Sequence, residues 1–172
     1  TYELDSATGK LNNSFIKEPQ DVVISEYNAN KLADQTITIV KNEKVITLVK
    51  DKDYSVSVEG GDGKWYKYIY TIFKSNFEDD GIYSIKVHSV DEAGNVAENT
   101  LDTKVTDISF AVDKTPPEII VTNLESNKTY PVTKLDVRIS ASDNIQLSSV
   151  QVMLDGKEAG SWNEAETEKI LS

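Results

Sequence analysis

The stretch FAVDKTPPEIIV, Phe110–Val121, places two adjacent prolines between two runs that read as β-strands. A proline has no backbone N–H for a sheet ladder, and it drives the residue before it into an extended conformation. The chain around Thr115 should therefore be stiff, extended and unpaired. Such a segment is typical of a short semi-rigid joint between two packed units. We predict a linker at residues 114–117, with Pro116 and Pro117 as its structural centre.

Composition excludes several classes of partner. The 172 residues carry 18 Lys and Arg against 29 Asp and Glu, a net charge of −11, which disfavours binding to nucleic acid or to an anionic lipid surface. No apolar stretch approaches the roughly 18 to 20 residues that cross a membrane, so we expect no membrane insertion. The chain has no cysteine, which excludes a disulfide framework and a thiolate metal site. No signal peptide or anchoring signal is recognisable, and we expect the sequence to be a segment of a longer protein.

Period-two alternation of apolar and polar residues dominates the chain. Turn sequences interrupt it: EGGDGK at 59–64, EDDG at 78–81, DEAGN at 91–95 and LDGK at 154–157. Between residues 20 and 112 the alternation predicts strands at 22–26, 36–41, 45–49, 54–58, 65–73, 82–90 and 104–112. This many short antiparallel strands in about a hundred residues are typical of an immunoglobulin-like β-sandwich. The predicted fold class is therefore all-β.

An internal repeat indicates a tandem arrangement. Eight positions between residues 19 and 31 recur 97 residues later, between 116 and 128. A repeat of that length corresponds to one sandwich domain. We therefore predict a complete immunoglobulin-like domain at 16–113 and the start of another after the linker. Residues 1–15 are either an N-terminal extension or the first strand of the central domain.

The second unit is predicted to be cut short, because only 57 residues remain from Pro116. Residues 118–172 are expected to form the first half of an immunoglobulin-like domain, with strands at 118–122, 134–141 and 149–154. A short helix is predicted from Asn163, with Glu166 at the capping-box position. Half a sandwich leaves an apolar face and sheet edges bare. The missing strands are then absent, disordered or supplied by another molecule.

The motif DDGIYSI at 79–85 has the form D-x-G-x-Y-x-I. It resembles the tyrosine corner of immunoglobulin domains, in which a buried tyrosine at the entry to a strand bonds back to upstream backbone. Tyr83 is then the corner residue, and Asp79 and Gly81 complete the motif. Ile85 stands where antibody domains carry a cysteine, so packing replaces the disulfide.

Together with VDEAGN at 90–95 and VDKTPP at 112–117, this motif makes the chain similar to the bacterial immunoglobulin-like repeats of Gram-positive cell-surface proteins. The resemblance covers about residues 15–162, and the order and spacing of the short motifs carry it. It implies an extracellular, non-catalytic module in a stalk or adhesin, beside neighbouring immunoglobulin-like repeats and without an assigned ligand.

The segment KWYKYIYTIF at 64–73 is the most aromatic part of the chain. Alternation puts Tyr66, Tyr68 and Tyr70 on one face of a strand and Trp65 on the other. One interpretation is a stacking platform for sugar rings, with these aromatic side chains as the ligand-binding residues. The other is that one face fills the sandwich core while the other covers a sheet. The second interpretation is favoured, and the first stays open.

The acidic loops raise the question of calcium. The run from Asp51 begins with the spacing of an EF-hand loop, but Val56 stands where that loop needs glycine and Asp62 where it needs glutamate. A looser calcium site at a domain junction would draw on Asp91, Asn95, Asp113 or Asp143. Solvated carboxylates are the preferred interpretation, so no cofactor is predicted.

Catalysis has little support in the sequence. His88 is the only histidine, and alternation turns it away from Tyr83 and Val87, toward solvent. A zinc site or a histidine-based triad would need further partners. No G-x-S-x-G, H-E-x-x-H or phosphate-binding glycine loop occurs, so we predict no catalytic residues and no enzyme. A lysine–asparagine isopeptide bond is a further possibility for stabilising the sandwich.

We therefore expect a rigid spacer or adhesion stalk on a bacterial cell surface. The alternative is a carbohydrate-binding accessory module of a secreted glycan-degrading enzyme, using the tyrosine face or Trp65. A third possibility is an adhesin domain with a protein ligand, for which the exposed loops at 59–64 and 91–95 are the candidate contact surfaces.

Overall fold

The computed structural model describes residues 1–101, 108–163 and 168–171. The chain divides into two compact units, Thr1–Lys114 and Thr115–Ser172, called unit 1 and unit 2. The division falls inside the linker predicted at 114–117. Most of the regular structure consists of strands in several antiparallel sheets, which confirms the all-β prediction.

Unit 1 is built from two sheets. Its strands are β1 (Tyr2–Leu4), β2 (Phe15–Ile16), β3 (Val22–Asn28), β4 (Leu32–Lys41), β5 (Lys44–Thr47), β6 (Tyr54–Gly60), β7 (Tyr66–Ile72), β8 (Gly81–Asp91), β9 (Val96–Glu98) and β10 (Ile108–Val112). The first sheet has the order β1-β3-β7-β6, and the second has the order β2-β10-β8-β4-β5, with β9 also paired to β8. Helix α1 (Ser6–Leu11) and a 3₁₀ turn (Lys74–Phe77) connect strands of different sheets, and a second 3₁₀ turn (Asn99–Leu101) follows β9 in the second sheet.

Alternation along the strands explains why the two sheets stack. In β8, Tyr83, Ile85 and Val87 are at most 3% exposed, while the residues between them are more accessible. Inward side chains from both sheets form one hydrophobic core, which includes Val22, Ile24, Ile37, Ile39, Ile72, Ile108, Phe110 and Val112. Removing this apolar surface from water is the main stabilising contribution. Unit 1 is a two-layer β-sandwich.

The first 16 residues contribute to both sheets. β1 pairs antiparallel with β3 in the first sheet, and β2 pairs parallel with β10 in the second. Helix α1 connects them, and Asp5 caps it by accepting a hydrogen bond from the Thr8 N–H at 2.8 Å. Residues 1–15 therefore act as the first strand of unit 1 rather than as an extension, and unit 1 begins before the predicted boundary at residue 16.

Two strands share one edge of β8. β9 pairs with residues 88–90 and β10 pairs with residues 81–85. Between these positions the buried side chain of Asn99 takes the place of a strand: Asn99 Oδ1 accepts from Val87 N–H at 2.7 Å, and Asn99 Nδ2 donates to Ile85 O at 3.1 Å. The amide thereby satisfies two backbone groups that the core would otherwise leave unpaired. The strand predicted at 104–112 is described only from Ile108.

Unit 2 consists of two smaller sheets. Its strands are β11 (Glu118–Thr122), β12 (Val137–Ser142), β13 (Ser149–Leu154), β14 (Lys157–Asn163) and β15 (Glu168–Leu171). The order is β11-β12-β15 in one sheet, while β13 and β14 form a hairpin. Their shared core contains Ile139, Ala141, Val150 and Trp162. The helix predicted from Asn163 is wrong at its start, because Asn163 ends a strand; Glu166 lies outside the described residues.

The strand pairing overturns the register of the internal repeat. An offset of 97 residues matches β3 with β11 and β4 with β12. However, β3 and β4 lie in different sheets, whereas β11 and β12 pair with each other. The 97-residue offset therefore matches strands that are not equivalent. The two copies look alike because each has a proline followed by a short apolar run.

The two units share part of their strand pairing. β12 lies between β11 and β15 as β3 lies between β1 and β7, and the β13–β14 hairpin corresponds to the β4–β5 hairpin. This matches DVVIS at 21–25 with DVRIS at 136–140. It also matches the hairpin turn Asn42–Glu43, with φ of 45° and 70°, to Asp155–Gly156, with φ of 50° and 77°. Positive φ at both residues is the geometry of a type I′ turn.

Candidate functional site

Two of the three tyrosines of the aromatic strand β7 pack into the core. Tyr68 is 5% exposed and Tyr70 is fully buried. The Tyr68 hydroxyl accepts a hydrogen bond from the Leu32 N–H at 2.8 Å, at the start of β4. Stacking on a sugar needs an exposed ring face, so the prediction that Tyr68 and Tyr70 bind a ligand is wrong. Trp65, which is 60% exposed, and the half-buried Tyr66 remain accessible.

A buried carboxylate, which the sequence analysis missed, joins the two sheets. Glu26 on β3 is fully buried and accepts hydrogen bonds from the Tyr70 hydroxyl at 2.7 Å and from Ser89 Oγ at 2.5 Å. Tyr70 belongs to the first sheet and Ser89 to the second. Burial and the adjacent Glu26 raise the pKa of Tyr70 far above its ordinary value, so the hydroxyl remains a donor. These bonds offset the cost of burying the carboxylate.

Tyr83 lies where the chain enters β8. Its ring is 1% exposed, and its hydroxyl donates to Asp79 O at 2.7 Å, the contact expected of a tyrosine corner. Phe77 and Phe110 lie 5.3 Å and 5.7 Å from the ring, measured between centroids. Lys41 Nζ lies 5.6 Å from the ring centroid and 2.9 Å from the Asp79 carboxylate. Burial raises the pKa of Tyr83. The ring contacts and the hydrogen bond to Asp79 give the tyrosine corner a structural role.

Three loops of unit 1 line an open depression of about 430 Å³, which we call the loop-end pocket. They join β3 to β4, β6 to β7 and β8 to β9. The lining residues are Ala29, Asn30, Lys31, Gly63, Lys64, Tyr66, Glu92 and Ala93. The structure thus brings together the two loops predicted as a contact surface, EGGDGK at 59–64 and DEAGN at 91–95.

Asp91 holds the β8–β9 loop in one conformation. Its Oδ1 accepts from the backbone N–H groups of Ala93 at 2.9 Å and Asn95 at 2.8 Å. Its Oδ2 accepts from the side-chain amides of Asn30 and Asn95, both at 2.9 Å. Hydrogen bonds from these amides lower the pKa of Asp91 to about 2, and the bond from Asn30 has the largest effect. The Asn30 bond also ties this loop to the β3–β4 loop, so the carboxylate serves the turn and is not presented to a calcium ion.

Tyr66 forms the aromatic wall of the loop-end pocket. Its ring stacks on Tyr68, with centroids 6.3 Å apart and an interplanar angle of 27°. Gly61 lies against the ring: a Cβ there would be 3.2 Å from it, and Gly61 has a φ of +102°. Glycine alone adopts this conformation without strain. In the part of the chain that the structure describes, neither the Tyr66 hydroxyl nor the Lys64 ammonium has a hydrogen-bond or ion-pair partner.

His88 lies on the outward face of β8 and is partly exposed. Its Nδ1 and the Lys86 Nζ each lie 2.9 Å from Glu98 Oε1. The hydrogen bonds from Lys86 and His88 lower the pKa of Glu98. Partly exposed ion pairs of this kind contribute little to stability. We interpret Lys86, His88 and Glu98 as ordinary polar residues on the solvent-facing side of the sheet.

The other acidic candidates serve turns in the structure. Asp53 Oδ2 accepts from the Val49 N–H at 2.8 Å, and Asp143 Oδ1 accepts from the Ile145 N–H at 2.9 Å. Among the described residues, no group of three or more Asp, Glu or His side chains is placed to hold a metal ion. The buried polar side chains of this part of the chain include no lysine, and Asn99 is bonded to backbone. A lysine–asparagine isopeptide bond therefore gains no support.

The start of the linker is anchored to unit 1. The Lys114 backbone N–H donates to Asp80 Oδ1 at 2.9 Å, and its ammonium donates to Glu78 O at 2.5 Å. Both partners lie in the turn that precedes β8. Only Thr115–Pro117, all exposed, separate this anchored residue from the first residue of β11.

No helix among the described residues is long and apolar enough to span a membrane. No protein-family model matches the chain, and no curated protein matches it.

Proposed function

We propose that unit 1 is an immunoglobulin-like domain and that the chain is a non-catalytic module of a bacterial cell-surface protein, where it acts as a rigid spacer or adhesion stalk. The sheet order supports the domain assignment. Immunoglobulin-like sandwiches have one sheet in the order A-B-E-D and a second formed by G, F and C, with C′ added at the edge in some forms. The order β1-β3-β7-β6 corresponds to A-B-E-D. The order β2-β10-β8-β4-β5 corresponds to A′-G-F-C-C′, with the first strand divided between the sheets by α1.

The pairing in unit 2 supports a second domain built on the same plan. β11, β12 and β15 take the places of A, B and E, and the β13–β14 hairpin takes the place of C and C′. The shared DVxIS sequence at 21–25 and 136–140 and the shared type I′ turn agree with this assignment. Tandem domains in one chain are the arrangement expected of a stalk.

The parallel pairing of β2 with β10 supports the proposal that unit 1 resists pulling at its ends. These strands come from the two ends of unit 1. The hydrogen bonds between their segments are Asn13 N to Ser109 O (2.6 Å), Ala111 N to Ser14 O (2.9 Å), Asp113 N to Ile16 O (2.9 Å) and Ser109 N to Asn12 Oδ1 (2.8 Å). A force that separates the ends of the unit draws β2 toward its N-terminus and β10 toward its C-terminus. Because the strands are parallel, that force acts along both of them and loads all the bonds together.

The linker supports a fixed orientation between neighbouring units. Lys114 is bonded to the turn at 78–80, and the chain reaches β11 after three further residues. Two of these are prolines, whose φ is restricted to about −65°. A joint this short, anchored at one end, has few accessible conformations. The extracellular location is supported by the resemblance of the 79–85, 90–95 and 112–117 motifs to surface repeats.

Single-molecule pulling on the chain tests the proposal. Replacing Ala111 on β10 by proline removes the N–H that donates to Ser14 O at 2.9 Å. We expect Ala111→Pro to lower the peak unfolding force of unit 1. A matched control is Ile46→Pro on the edge strand β5, outside the path between the two ends. An unchanged peak force in Ala111→Pro, or an equal fall in both variants at matched thermal stability, would contradict a mechanical role for the β2–β10 pair.

A further inference from the structure

We propose that the loop-end pocket binds a neutral sugar residue of a glycan. This goes beyond the spacer role and is independent of it, because the pocket is formed by loops and the load path by β2 and β10. The pocket volume of about 430 Å³ lies within the range of about 300 to 1,000 Å³ that is usual for small-ligand sites.

The pocket is preformed. The side chains of Asp91 and Asn30 join two of its loops, and the Glu92 N–H donates to Lys31 O at 2.9 Å between the same loops. The Tyr66 ring stacks on Tyr68, and Gly61 lies beside its hydroxyl end. Two loops that are already joined and a ring that is already packed lose less conformational entropy when a ligand binds.

The polar groups of the pocket suit sugar hydroxyls. Lys64 and the Tyr66 hydroxyl offer donors that have no partner in the described part of the chain. Glu92 offers acceptors, since its contact with Lys31 is a loose, exposed pair at 3.7 Å. A sugar hydroxyl both donates and accepts, so it can use an ammonium, a phenol and a carboxylate placed around one ring.

The aromatic wall distinguishes a sugar from the other candidate ligands. Tyr66 is partly exposed, and the exposed part of an aromatic ring can pack against the apolar C–H face of a pyranose while polar groups bind the rim of the sugar. A polyanion is disfavoured by the net charge of −11. A protein ligand would need an apolar centre in a contact area of about 800 Å² on each partner, whereas the pocket is small and lined mostly by polar and charged side chains.

Amide NMR spectra of the whole chain, recorded with added monosaccharide, test the proposal. The probes are glucose, galactose, mannose and N-acetylglucosamine. Each is added up to about 20 mM, so that a site with a Kd near 1 mM, a weak affinity, is nearly saturated. We expect at least one sugar to give saturable shift changes at Gly63, Lys64 and Glu92. The double variant Lys64→Ala/Glu92→Ala changes two exposed side chains and should weaken binding at least tenfold.

The control is Trp65→Ala, because Trp65 is exposed but does not line the pocket. It should leave sugar binding unchanged. The proposal is overturned if none of the sugars shifts these amides, or if Trp65→Ala abolishes binding that the double variant retains. It is equally overturned if unglycosylated peptides shift the pocket amides and the sugars do not, which would identify a protein-binding surface.

Discussion

Replacing Tyr83 by phenylalanine tests the contribution of the hydroxyl at the tyrosine corner. The ring is 1% exposed and packs against Phe77 and Phe110, and these contacts are kept by phenylalanine. The change removes the hydroxyl, which donates to Asp79 O at 2.7 Å and also lies close to the Lys41 ammonium. A net hydrogen bond contributes about 0.5 to 1.5 kcal/mol, and an acceptor left unsatisfied in the interior costs about 1 to 3 kcal/mol. Asp79 lies at the surface, where water can reach its carbonyl, so we expect a loss of about 1 kcal/mol.

Tyr54 provides the matched control. Its ring is 3% exposed, and among the described residues its hydroxyl has no hydrogen-bond partner. Tyr54→Phe should therefore change the free energy of unfolding by less than about 0.5 kcal/mol. Urea unfolding followed through the amide resonances of unit 1 separates its transition from that of unit 2. Equal losses in the two variants would refute the assignment of a stabilising bond to Tyr83.

Three further sites, Asn99, Asp91 and the hairpin turns, give testable changes in stability. Asn99→Leu leaves two buried backbone groups of β8 unpaired and should lower the free energy of unfolding of unit 1 by about 2 to 5 kcal/mol; a urea midpoint equal to wild type would show that the amide is dispensable. The pKa of Asp91 is lowered from 3.8 to about 2 in the folded chain, so its contribution to stability is present above pH about 4 and is lost as the pH falls toward 2. Thermal unfolding between pH 5 and 2 should show a steeper loss in wild type than in Asp91→Asn, and parallel curves would contradict this. Glu43 has a φ of 70° in the β4–β5 turn, whereas Gly156 occupies the same place in unit 2 with a φ of 77°. Glu43→Gly should stabilise unit 1 by about 1 kcal/mol and Gly156→Glu should destabilise unit 2 by a similar amount; hydrogen exchange of each hairpin measures both, and changes of the opposite sign would exclude the type I′ assignment.

Much of the sandwich follows from alternation alone, because most of its strands have one buried and one exposed face. The strands predicted at 36–41, 54–58 and 82–90 lie within β4, β6 and β8. β1 and β2 could not be located in this way, since they are three and two residues long and carry no measurable period. The repeat register failed for a related reason, because a proline followed by an apolar run describes both β3 and β11.

The buried polar groups of the core could not be predicted from the sequence alone. Glu26 is acceptable on an inward position only because Ser89, 63 residues away, and Tyr70, 44 residues away, supply its donors. The role of Asn99 depends on the gap between β9 and β10 along β8. The tyrosine corner could be found because its contact is local, from Tyr83 to a backbone carbonyl four residues earlier. Long-range partners appear only in the folded chain.

The proposed spacer role requires a fixed orientation between unit 1 and unit 2. Residual dipolar couplings of backbone N–H groups, measured in a weakly aligned sample and fitted separately for unit 1 and unit 2, report on that orientation. For a rigid linker we expect alignment of the same magnitude and direction in both units, and a loss of that agreement when Pro116 and Pro117 are both replaced by glycine. Independent alignment of the two units in the wild-type chain would contradict it.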